Sequence, residues 1–154
     1  GTAARLAAER GVEASALADI KATLDELDDC FGPRIHDVDF DLYSELNGLF
    51  HSQLADLSDS NVMIRELERA KSLPFASPSA FVPNNSELHS FQISLVIAQN
   101  QHRSIIGAIE AREGARAEAI AREHARIARS NLEYVLGLDA TTIANVSSLA
   151  LVVE

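Results

Sequence analysis

Two histidines occupy positions where the surrounding pattern calls for an aliphatic side chain. Leu88, Phe91, Leu95, Ala98, His102, Ile105 and Ile109 step by three and four, the spacing of one apolar helix face. Ala117, Ile120, His124, Ile127, Asn131 and Tyr134 keep the same rhythm further along. Gly114 lies between the two arms and is the expected turn. Counted from Glu113, His102 is eleven residues back and His124 eleven forward. At about 1.5 Å of rise per residue, each lies roughly 16 Å from the bend. An antiparallel hairpin therefore sets them level. Two imidazoles would repel if both were charged in an apolar seam, so a shared cation or proton is the best account of the pair.

A third histidine joins them from another helix. The segment from Phe40 to Leu57 carries an apolar stripe of Leu42, Leu46, Leu49, Phe50 and Leu54, with Tyr43, Asn47 and His51 at i, i+4 and i+8 in a polar column beside it. Asn47 and His51 then point obliquely into the core. One buried histidine is more often a hydrogen-bonded core residue than a ligand, but three from three helices favour a metal site. Asn47 adds an amide oxygen one turn before His51. Imidazole-rich ligation suits Zn, Ni, Cu or Fe better than Mg or Ca. Tyr43 and Asn131 are candidate polar contacts for a small ligand, or else residues satisfying a core hydrogen bond. His36 reads as an ordinary loop histidine, and His89 as a surface or capping residue.

The elements that must position these side chains are helical throughout. A first helix covers Ala3 to Glu9, and a second carries Leu17, Ile20, Leu24, Leu27 and Phe31 before Gly32-Pro33 ends it. Ser58 to Asn61 supplies capping residues for a helix through Val62, Ile64, Leu67 and Ala70. The run from Leu73 to Pro78 breaks that helix, and Pro74 to Asn85 connects to the long arms with Phe75 and Phe81 as apolar anchors. The expectation is an all-α antiparallel bundle of about six helices enclosing a central cavity, spanning residues 1–136. Residues 137–154, apolar and rich in Thr and Ser, read as a short helix or an exchanged arm and favour a homodimer.

Composition narrows the function classes. A length of 154 residues is one domain, and a net charge of −10 argues against this chain holding a phosphate backbone itself. Arg116, Arg122, Arg126 and Arg129 gather near the end, but interleaved Glu118, Glu123 and Glu133 make that a solvated, ion-paired face. No apolar run is long enough to span a bilayer. A lone Cys30 cannot form an internal disulfide, so a cytoplasmic setting is expected, with Cys30 a small buried filler.

Several of these segments, in order and spacing, resemble the FCD effector domain of GntR-family transcription regulators of the FadR type. They are Asn47-Gly48-Leu49-Phe50-His51 with Ser60-Asn61 following, His102 to Ile109, and His124 twenty-two positions after His102. Ala3 to Glu9 looks like that domain's first helix, and Leu73 to Ser79 like the connector of its VanR-like branch. The resemblance implies a helical bundle that binds a divalent transition metal, zinc first with Ni, Fe or Mn as alternatives, and a small carboxylate effector. It places metal ligands at Asn47, His51, His102 and His124, with Asn47 standing where the family has an acidic residue. It also implies a winged-helix DNA reader ahead of Gly1, outside this chain, through which alone DNA would be bound.

The resemblance makes the chain a sensor and not an enzyme. A competing reading is a helical-bundle hydrolase whose metal activates water. That chemistry needs a general base, and Glu123, next to His124 in sequence, is turned about 100° away around the helix. A third reading is a metal-free dimerisation bundle.

Overall fold

The computed structural model describes residues 1–34, 37–72 and 89–136, with the side chains of 89, 90, 128 and 131–136 excepted. Among these residues six helices follow one another: α1 (Thr2–Arg10), α2 (Ala14–Asp29), α3 (Phe40–Asp56), α4 (Asn61–Lys71), α5 (His89–Glu110) and α6 (Gly114–Leu136). Among the described residues the only extended pairing is an isolated antiparallel bridge between Phe31 and Val38. The protein is all-α, as the periodicity implies. The anchors Phe75 and Phe81, His36, and the tail 137–154 lie outside the described residues.

Small residues set how closely α1 can lie. Ala3, Ala4, Ala7 and Ala8 are all buried, and α1 packs along α6 and α5. Gly11 ends it at φ 89, a backbone conformation costly for any residue with a Cβ, and its N–H donates to the Ala7 carbonyl at 3.0 Å. On α2, Ile20, Thr23, Leu24 and Leu27 are buried against α3 and α5. Cys30 closes that helix as a buried thiol, pushed up to about 11 by desolvation and by nearby Asp39, Asp29 and Glu26. It is inert packing.

Helix α3 starts at an N-cap, where Asp39 Oδ1 accepts from the Leu42 amide at 3.1 Å. Its buried face takes only part of the apolar stripe. Leu42 and Leu49 stay 43% and 46% exposed, while Tyr43, Leu46, Asn47, Phe50 and Leu54 are buried. Tyr43 and Asn47 of the polar column thus enter the bundle, and α3 packs on α2. Helix α4 is capped by Ser60, whose Oγ accepts from Met63 N–H at 3.4 Å. It lies at the periphery: none of its residues is buried and Val62 is 59% exposed.

The longest pairing is the α5–α6 hairpin. Its turn differs from the expectation that Gly114 makes it. Arg112 takes the left-handed conformation at φ 62, and Glu113 N–H donates to Ala108 O at 2.8 Å. Gly114 instead opens α6, buried under α1, where an added Cβ would sit 3.0 Å from Glu9 Cγ and 3.4 Å from Arg5 Cγ. Its small size is used for close approach of helices. The arginines of α6 are ion-paired at the surface, Arg116 to Glu113 at 2.6 Å, Arg122 to Glu118 at 2.7 Å and Arg126 to Glu123 at 3.0 Å. These exposed pairs contribute little to stability.

Candidate metal centre

The hairpin brings His102 and His124 level, as counting from the bend requires, and α3 delivers His51 to the same point. His102 Nε2 lies 3.0 Å from His124 Nε2, and His124 Nε2 lies 3.4 Å from His51 Nε2. The three rings form a group able to hold a metal ion, with their ligand atoms all within 4.8 Å of one another. Nitrogens bonded to one ion at about 2.0–2.1 Å and separated by angles of about 90–110° stand roughly 2.9–3.4 Å apart. The His102–His124 and His124–His51 separations fall in that range, and all three donors lie close enough together to reach one transition-metal ion.

The surroundings keep the rings neutral. His102 is fully buried, and its pKa lies well below the ordinary histidine value, through desolvation first and then the proximity of His124 and His51. Burial also lowers His51 to about 3, helped by His124, Lys71 and the amino terminus. Burial alone lowers His124 to about 4. Neutral imidazoles are the form that offers a nitrogen lone pair to a metal. Phe50 packs on His102 at 4.2 Å between ring centroids and on the edge of His51 at 5.3 Å, lining one side with hydrocarbon.

The remaining candidates are placed less closely. Asn47 is buried one turn before His51 on the same face of α3. Tyr43 is buried two turns before His51, about 12 Å along the helix, and presents its ring edge to face contact with Phe31 at 5.6 Å. Asn131 is a residue of α6 whose side chain is outside the described set, as is that of His89 in the first turn of α5. Glu123 is exposed and paired with Arg126, so it is not turned toward the imidazoles.

Two neighbours went unnoticed in the sequence. Gln99 is buried one turn before His102, with its Oε1 3.0 Å from His102 Nδ1. A glutamine four residues after Leu95, beside an apolar stripe, was the available signal. Lys71, at the end of α4, is the cation nearest to His51 in effect, and nothing in the local pattern of α4 reveals that.

The interior cluster of neutral imidazoles is thus drawn from three helices of an all-α bundle. The FCD domain model matches residues 1–126, and the chain belongs to the FCD domain family. The matched span contains all three histidines. Domains of that family are regulatory effector-binding domains of GntR-type regulators, and metal binding is frequent among them. No curated protein matches the chain.

Proposed function

We propose that this chain is the ligand-sensing domain of a bacterial GntR-family transcription regulator, holding a divalent transition metal ion through His51, His102 and His124 with Asn47 beside them. The observation that carries the reading is the convergence of three imidazole Nε2 atoms, at 3.0 and 3.4 Å, in a desolvated interior. Zinc is the first choice of ion, with Ni, Fe or Mn as alternatives, because imidazole donors suit that group. A bound ion supplies Lewis-acid attraction for a carboxylate. The chain's own residues do the rest: the three neutral imidazoles and the neutral Asn47 amide leave the positive charge uncompensated, and Phe50 keeps one side dry. A small anionic effector is the natural counter-charge.

Binding in such a site biases the packing of α3 against the α5–α6 hairpin, since its donors come from both. In the full regulator that bias reaches DNA through a winged-helix domain joined ahead of Gly1, and two copies pair as a homodimer in the cytoplasm. With a net charge of −10, this domain is not itself the DNA reader. No helix among the described residues is long and apolar enough to cross a membrane.

Elemental analysis of the purified chain, followed by melting curves with a panel of small carboxylates with and without chelator, tests the reading. Bound metal together with an acid-specific rise in melting temperature that chelator removes is the expected result. Indifference to both metal and acid would leave a dimerisation scaffold, and turnover of a hydrolysable substrate would mean an enzyme.

A further inference from the structure

The hydrogen bonds around Gln99 fix where the proton of His102 sits. Gln99 Nε2 is 3.0 Å from the Leu24 carbonyl and 2.7 Å from Asp28 Oδ1. Both of those partners are acceptors, because Leu24 offers a backbone oxygen and the other Asp28 oxygen is ion-paired to Arg103 Nε at 2.7 Å. The amide group can satisfy them only with its NH2 end. Its oxygen is therefore the atom that faces His102 Nδ1 at 3.0 Å. An amide oxygen only accepts, so Nδ1 of His102 must carry the hydrogen. The lone pair is left on Nε2, which lies 3.0 Å from His124 Nε2.

We propose that Gln99 is a positioning residue that locks His102 in the tautomer with Nδ1 protonated and Nε2 free for a metal. The lock extends from α5 to α2, because Asp28 holds Gln99 and is itself held by Arg103. It makes His102 the ring already set for coordination before any ion arrives. His124 is set differently. With Nε2 of His102 an acceptor, the 3.0 Å contact between the two rings needs the hydrogen on His124 Nε2. That assignment also leaves no donor stranded at the buried His124 Nδ1, which has no hydrogen-bond partner among the described residues. In the metal-free chain the two rings thus hold opposite tautomers, one fixed by Gln99 and one that must move its hydrogen to Nδ1 before it can ligate. The relevance of the lock to metal rests on the function proposed above; the tautomers themselves do not.

Long-range proton–nitrogen correlation spectra of the uniformly 15N-labelled, metal-free chain at neutral pH read both tautomers directly. His102 is expected with a protonated Nδ1 and a bare Nε2, and His124 with the reverse. Gln99→Leu removes the acceptor, so His102 should shift toward the Nε2-protonated form, while Gln99→Glu keeps an acceptor but sets a carboxylate against Asp28 and the Leu24 carbonyl, and should retain the wild-type pattern less completely. In chelator competition, Gln99→Leu should weaken zinc binding by about 10- to 100-fold, the usual effect of losing a partner of a ligating histidine. A bare Nδ1 on wild-type His102 overturns the proposal whether or not either variant folds. So does an unchanged His102 pattern in Gln99→Leu. The expected tautomers in a chain that binds no zinc would uphold the lock and remove the metal-sensing function alone.

Discussion

Acid should unfold the metal-free domain through its three interior histidines, and the size of the effect follows from their burial. In the folded chain His51 titrates at about 3, His124 at about 4 and His102 well below its ordinary value. In the unfolded chain each returns to about 6.5. Between those limits the unfolded state binds more protons, so stability rises with pH there. Their lowered pKa values give stability that is complete above about pH 6.5 and falls as pH drops through the window toward the folded values. Each ring costs about 1.4 kcal/mol per pH unit once well below 6.5, which integrates to about 2 kcal/mol per ring at pH 5. His51 and His124 together then cost about 4 kcal/mol, a large part of the stability of an ordinary domain, about 5–15 kcal/mol, and His102 acts in the same direction. Carboxylates also titrate in this range and, in a chain of net charge −10, their neutralisation relieves repulsion in the opposite sense. The double variant His51→Gln/His124→Gln separates the two, since it keeps the carboxylates and removes two of the rings. Urea melts at pH 7.5 and pH 5 on metal-free protein should show wild type losing about 4 kcal/mol more than the double variant over that interval. Parallel profiles, agreeing within about 1 kcal/mol, would mean that the rings are hydrated in solution and that desolvation does not set their protonation.

Other outcomes follow from the same geometry. Zinc at about 100 times its Kd should stabilise the chain by about 2.7 kcal/mol, readable as a rise of several degrees in Tm, and His102→Leu should abolish that rise without unfolding the bundle. Gly114→Val should cost about 1–3 kcal/mol in a denaturant melt, because its side chain would be driven into Glu9 and Arg5 where α1 crosses α6. Asp39→Ala should cost about 1 kcal/mol by removing the oxygen that caps α3, and Asp39→Asn should restore most of it.

The α5–α6 hairpin and its level histidines were legible in the one-dimensional pattern, since equal counts from a bend become equal heights in an antiparallel pair. Helix type and the Ser60 cap depend on short-range chemistry, and they too can be read locally. What tertiary contact decided was rotation and proximity. Leu42 and Leu49 belong to the apolar stripe of α3, yet in the bundle they face out while Tyr43 is buried with Leu46, Phe50 and Leu54. Gly114 looked like a turn residue, but the pressure of α1 on α6 uses its lack of a side chain, and Arg112 accepts the left-handed backbone. Gln99 acquires its role only because Leu24 and Asp28 of another helix claim its NH2 group. A residue's place along its own helix is settled by periodicity. Which neighbour it meets depends on how separate helices share one interior, and no single stretch of chain contains that information.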